Sequence, residues 1–327
     1  MIYTYDKVGV TMRTGKPKLS IEQQILKLKE KGIKFHFYTE EDSIAYLKAN
    51  NNFFKLTSYR KNFTKVQNGV NKGKYENLDF GYLVDLAIID TRLRILVLEM
   101  ALNIEHFAKV NLLSYVSDDS SEDGYSIVSD YIESLTVLQR ERLMKEMENR
   151  KTSEYCGDLI LKYKGQYPIW AFVEILSFGD FLYFYKYCAK KYTANKNLKT
   201  NFHLMFSVKA IRNAAAHNNC IMNNLLSRSS DMKDVNHSLL RDLATNTRIS
   251  KQIRDTHLSK LRIHQIITLL YAHKTIVTST GMHKHIAERL QDLSARFFKN
   301  HDYTACESLK TSLKFIKEVV DFWFKIA

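Results

Sequence analysis

The apolar positions of this chain recur mainly at steps of three and four, the period of one face of an α-helix. The longest run lies between about Asn77 and Val116. Leu83, Leu86, Ile89, Leu93, Leu96, Val97, Met100, Ile104, Phe107 and Val110 keep that period, which predicts one long amphipathic helix or two joined end to end. Pro168 opens PIWAFVEILSF, as proline favours the first helical turn, and Gly179 is expected to break it before DFLYFYKYCAKKY. A further helix is predicted over about 198–219. Ser20, with Gln23 at the capping-box position and Gly32 as the stop, frames IEQQILKLKEK; Thr39 and Asp42 repeat the box before SIAYLKA. The stretch NNFFKLTSYRKNF reads as a loop or short helix packed on the body, and Gly69 and Gly73 mark a turn. SDDSSEDG (117–124) reads as a loop and 130–150 as a helix with a charged face. The last hundred residues read as three or four helices, with breaks near 226–231, 246–256 and 277–282.

Composition agrees with that pattern. Only 11 Gly and 2 Pro occur in 327 residues, too few for a turn-rich β architecture, so the class is all-α. A hydrophobic fraction of 45% and a charged fraction of 26% exclude a disordered or fibrous chain. No run of 18 apolar residues is present, so no membrane partner is expected. MIYTYDKVGV lacks the layout of a signal peptide, and Cys156, Cys188, Cys220 and Cys306 form no CxxC pair. The expectation is a cytoplasmic protein with reduced thiols.

Charge divides the chain. Residues 1–74 carry 15 basic and 6 acidic side chains, 75–225 carry 17 and 19, and 226–327 carry 17 and 10. This suggests a basic N-terminal helical segment (1–75), a near-neutral core (76–225) and a basic C-terminal helical region (226–327). Basic ends meet a polyanion, an acidic protein or an anionic surface; solubility alone is the plainer reading.

The string Arg212-Asn213-Ala214-Ala215-Ala216-His217 lies at the end of the 198–219 pattern. Asn213 and His217 are one helical step apart and share a face; Arg212 is about 140° away but has a long side chain. The three alanines leave a bare surface that lets a second helix or a substrate approach. This set suits RNA phosphodiester cleavage without a metal. The imidazole accepts the 2′-hydroxyl proton or protonates the leaving oxygen, and the guanidinium binds non-bridging oxygens as charge builds. Asn213 holds the imidazole or a phosphate. One histidine cannot easily act on both sides of the phosphorus, and a symmetric dimer supplies two. Short strings of this kind also arise by chance.

Other candidates are weaker. His217 and Cys220 are three apart, but no further ligands with supporting spacing complete a metal site. His283 and His285 point about 200° apart on a helix. Glu99 and Glu105 do not share a face. No Gly-rich phosphate loop, HExxH or GxSxG occurs, so no cofactor is expected.

Five segments in order resemble the Abi family of bacterial abortive-infection proteins, an AbiD/AbiF-like group of the HEPN superfamily of helical ribonucleases. They are KPKLSIEQQILKLKEKGI (16–33), NNFFKLTSYRKNF (51–63), DTRLRILVLEMALNIEHFAK (90–109), YPIWAFVEILSFGDFLYFYK (167–186) and IRNAAAHNNCIMNN (211–224). The similarity covers about 14–225; the last third resembles nothing recognisable. It implies a HEPN-type helical bundle with additional N- and C-terminal helices, a homodimer with the R-x4-H motif at its interface, and a phage-defence endoribonuclease. Arg212 and His217 match the catalytic pair, Asn213 the polar residue after the Arg, and Asn223 the downstream Asn. Glu105, from the "IE" position, would orient Arg212 across helices; a plain salt bridge is the alternative. Cys220 stands where an Arg is common, and Asn224 replaces a terminal Arg, so affinity for RNA is expected from the basic ends. Lys16, Lys18, Arg60, Lys61 and Lys65 are the first group to examine. A related branch carries a modified Tyr two residues after the His, where this chain has Asn219. The resemblance also makes a cognate small RNA plausible, restraining or guiding the protein. The competing reading is a non-catalytic module that holds a structured RNA.

Overall fold

Serine, threonine and asparagine caps set where many of the helices begin. The computed structural model describes residues 2–6, 9–13, 17–227 and 235–326. Ser20 accepts from the Gln23 backbone N–H, Gln23 reaches back to the Ser20 N–H at 2.8 Å, and α1 follows as Ile21–Glu30. Gly32 ends it at φ +79, where a Cβ would lie 2.9 Å from that of Lys74, so only glycine fits. Thr39 caps α2 (Glu40–Ala49), and Asn52 caps α3 (Phe53–Ser58), which runs into a 3₁₀ turn at Tyr59–Asn62. Then come α4 (Phe80–Ser117), α5 (Ser126–Ser134), α6 (Val137–Asn149), α7 (Gly157–Tyr163), α8 (Ile169–Ile175), α9 (Phe178–Lys191) and α10 (Lys196–Ala216). The last third holds α11 (His237–Asn246), α12 (Lys251–Leu258), α13 (Leu261–Ile276), α14 (Thr280–Arg296) and α15 (Glu307–Trp323). The fold is all-α apart from an antiparallel hairpin of β1 (Ile2–Asp6) and β2 (Gly9–Arg13), which the hydrophobic pattern did not announce.

The 77–116 run is a single 38-residue helix. Its first half is enclosed on most sides, while beyond Ala101 the buried positions narrow to the stripe Ile104, Ala108, Leu112 and Val116; Val110 is exposed. Several boundaries differ from expectation. Residues 130–150 divide where Leu135 turns extended and Thr136 caps a new helix. Pro168 is the N-cap residue rather than the first helical one. The break after α8 falls at Leu176–Ser177, not at Gly179, because Ser177 accepts from the Asp180 N–H and starts α9 there. Five helices, not three or four, fill the described part of the last third, since α12 begins within the expected 246–256 break and residues 297–306 interrupt another run. The break expected near 226–231 lies largely outside the described residues.

α4 and α10 form the centre. α10 packs on α4, α9 and α13, and α14 lies against α4 and α15. The three segments read from charge share one contiguous core, to which Ile25, Leu28, Leu86, Val97, Leu313 and Val319 all contribute. A buried polar clamp fixes the last third: Asp85 of α4 accepts from Arg296, from Asn300 at 3.1 Å and from Tyr303. Among the described residues no helix is long and apolar enough to cross a membrane.

Candidate functional site

The R-x4-H string closes α10. Ala216 is the last helical residue and His217 the cap, with Asn218 in the left-handed region at φ +56. The Asn219 N–H bonds the Ala214 carbonyl at 2.8 Å and the Asn218 N–H bonds that of Ala215 at 3.0 Å. This is a Schellman turn, and it satisfies carbonyls that would otherwise be orphaned at the helix end. His217 therefore sits on a fixed turn, one helical step beyond Asn213, with its ring exposed. Arg212 is half-buried one turn earlier, about 7.5 Å back along the axis. Its Nη1 donates to Asn213 Oδ1 at 3.1 Å, and its guanidinium lies over the Phe178 ring at 5.9 Å. Among the described residues Arg212 has no carboxylate partner, and the His217 ring has no hydrogen bond. Asn213 thus steadies the arginine, not the imidazole as one expectation had it. The alanines are not a uniform bare patch either: Ala215 is buried, Ala214 half-buried and Ala216 exposed.

What holds this turn is a group that the sequence reading passed over. Asp90, fully buried in α4, accepts from the Ile221 and Met222 backbone N–H groups at 2.8 and 2.7 Å through Oδ1. Its Oδ2 accepts from the Tyr59 hydroxyl at 2.8 Å and from Arg94. Burial pushes the Asp90 carboxyl up from its ordinary value, while these N–H groups, Arg94 and Tyr59 pull it back. Burial, and then Asp90, push the Tyr59 phenol far up, which keeps it a donor. Asn62 completes the seat, donating to the Met222 carbonyl at 2.8 Å and accepting from the Leu225 N–H at 2.7 Å. Lys55 Nζ bonds Asn218 Oδ1 at 2.7 Å, and Cys220 Sγ lies 3.8 Å from the Lys55 carbonyl. Segments 51–63, 90–109 and 211–224 therefore meet at one place. A carboxylate among the apolar positions of a long helix, four residues before Arg94, was the available signal for Asp90.

The other expected residues are placed as follows. Glu105 pairs with Lys109 at 3.4 Å, and Lys109 also reaches Glu174; Glu105 does not touch Arg212, so the orienting contact is replaced by an ion pair within α4. Asn223 is half-buried beyond the turn, with no hydrogen bond from its side chain among the described residues. Lys16 lies outside the described residues. Lys18, Lys61 and Lys65 are exposed. Arg60 donates to the Thr57 carbonyl, and Arg60 and Lys65 both lie over the Tyr75 ring, at 5.8 and 5.2 Å, so that ring is already occupied by cations. Phe54, missed from the sequence, is 87% exposed beside Lys55. His285 pairs with Glu99 at 2.9 Å, whereas His283 bonds the Val277 carbonyl, so these two imidazoles have separate partners.

No curated protein and no solved structure matches the chain. One family model does, that of the Abi-like proteins, and its match runs over residues 45–223, from within α2 to just past the turn that Asp90 holds. That span is more than half of the sequence and contains Tyr59, Asn62, Asp90, Arg94, Arg212 and His217, and on this match the chain belongs to the Abi-like protein family.

Proposed function

We propose that this protein is a phage-defence endoribonuclease that cuts RNA without a metal, with Arg212 and His217 at its active site. The observation that carries the reading is the end of α10. An exposed imidazole on the closing turn and, five residues before it in the helix, a half-buried guanidinium free of any carboxylate among the described residues are presented at one helix end, whose following residues Asp90 holds. Family membership supports the defence role. In the reaction the 2′-oxygen attacks phosphorus, the P–O5′ bond breaks, and the products are a 2′,3′-cyclic phosphate and a 5′-hydroxyl. His217 removes the 2′-hydroxyl proton, or delivers a proton to the departing 5′-oxygen. Arg212, held by Asn213 and Phe178, neutralises charge on the non-bridging oxygens.

Two such histidines act on opposite sides when two copies pair through α10. Lys199, His203, Phe206, Ala210, Asn213 and His217 follow one another at steps of three and four, and all but the half-buried Asn213 are exposed. Phe206, 54% exposed, is the apolar anchor of that face. RNA is the substrate, with Lys55 and exposed Phe54 next to the site and the basic segments beyond. A cognate small RNA would restrain or guide the protein through the same basic surface.

The test uses purified parent, Arg212→Ala and His217→Ala proteins on end-labelled RNA, with and without EDTA. Cleavage by the parent in both conditions, cyclic-phosphate ends and loss in both variants are expected. Cleavage retained by both variants would sink the assignment. Binding by the parent without cleavage would instead identify a non-catalytic RNA-holding module. Phe206→Glu is expected to give a monomer by sedimentation and to lose cleavage together with pairing.

A further inference from the structure

The C-terminal helices enclose a second, unassigned concavity. It measures about 440 Å³ and lies between α13, α14 and the end of α15, within the range of small-molecule sites. Its rim carries Lys274, His283, Lys284 and Lys325, and among the described residues no carboxylate lines it. Lys274 is neutralised from outside the pocket by Asp242 at 2.6 Å. Lys284 and Lys325 are exposed and form no ion pair among the described residues. His283 donates its Nε2–H to the Val277 carbonyl at 2.6 Å, and its Nδ1 has no partner among the described residues. The floor is aromatic and buried, built from Trp323 and Phe324. The Trp323 indole N–H is buried and finds no acceptor among the described residues, and Lys274 Nζ lies over the indole ring at 5.6 Å.

We propose that this pocket binds the phosphate of a nucleotide. Two unpaired ammonium groups with no opposing carboxylate select an anion. A volume far larger than one phosphate, over an aromatic floor, selects an organic phosphate with a planar apolar part rather than the inorganic ion. The phosphate belongs either to a free nucleotide or to an RNA strand, and the chemistry of recognition is the same. The pocket shares no residue with the end of α10, and the proposal stands whether or not the chain cuts RNA.

Trp323 supplies the signal. The chain has two tryptophans, and Trp170→Phe leaves Trp323 as the only emitter. In that background the emission wavelength is followed against AMP, adenosine and a five-nucleotide RNA. A saturable shift with AMP or with the RNA, absent with adenosine, is expected. AMP alone would identify a free nucleotide as the ligand, and RNA alone a strand phosphate; both support the site. Lys284→Glu combined with Lys325→Glu should weaken the response at least tenfold. Arg212→Ala should bind AMP or the RNA at this pocket as the parent does, so this proposal and the nuclease reading can fail separately. Adenosine binding as well as AMP, no shift with either phosphate-bearing probe, or a charge-reversed variant within twofold of the parent would overturn it.

Discussion

Replacing Asp90 by asparagine tests how the fold seats its candidate site. The side chains of Asp90 and Arg94 are 0% and 7% exposed. In Asp90→Asn the amide oxygen can still accept from the Ile221 and Met222 N–H groups, so the turn after His217 keeps its anchor. The amide NH₂ then occupies the place of Oδ2 and faces two donors. The Tyr59 hydroxyl can rotate and accept, but the Arg94 guanidinium cannot; it keeps only its 2.8 Å bond to Thr91 Oγ1. Removing one partner of a buried ion pair costs about 3–5 kcal/mol, a large part of a total stability of about 5–15 kcal/mol. Adding Arg94→Met removes the stranded charge, and the double variant should recover at least ~2 kcal/mol, since apolar replacement of a buried pair is often neutral. Urea unfolding followed by circular dichroism, with one slope fitted to all variants, reads both differences. Folded Asp90→Asn should retain RNA cleavage. Asp90→Ala orphans the two N–H groups as well, roughly 1–3 kcal/mol each, and should lose cleavage along with stability. An Asp90→Asn cost below about 1 kcal/mol, or a double variant less stable than the single one, would refute this reasoning.

Three further outcomes are expected. Asn218, at φ +56, should tolerate glycine within about 0.5 kcal/mol, whereas Asn218→Val should cost about 1–2 kcal/mol by urea unfolding and lower cleavage by displacing His217. Burial lowers the pKa of His273 to about 3, with His283 adding to it, and that of His257 to about 4, with Lys260 adding. Both are neutral in the fold and protonate in the unfolded chain below about 6.5, so their stabilisation is complete above that pH and is lost as pH falls toward 4 and 3. The urea midpoint should therefore decline from pH 6.5 to 4, by at most ~1.4 kcal/mol per unit for each imidazole, and His257→Gln should flatten the decline. Reversing Lys18, Lys61 and Lys65 to Glu should weaken RNA binding and flatten its salt dependence, measured by filter binding between low and moderate salt, while His217→Ala binds nearly as well as the parent. Unchanged binding in the reversed variant would make those lysines ordinary solvated surface.

Helix class, the long α4 and the caps at Ser20 and Thr39 were legible from sequence, because period and capping are local properties of neighbouring residues. Arg212 and His217 stood out for the same reason, as a short string with a spacing. Boundaries failed where a cap competed with a stronger-looking breaker: Ser177 ends the preceding extended residue and starts α9, while Gly179 fits inside the helix against Lys209. The role of Asp90 was not legible because, Arg94 apart, its partners are 31 residues before it and about 130 after it. Only tertiary packing brings the Tyr59 hydroxyl and the N–H groups of residues 221–222 to this carboxylate, which its own helix already pairs with Arg94, and burial then makes each of those bonds obligatory. The same limit explains Glu105, which finds Lys109 on its own helix instead of Arg212 across helices. Period and caps state which residues are helical and which face is apolar. Which polar groups meet inside is decided by long-range packing, since a buried donor or acceptor must find a partner wherever the fold puts one.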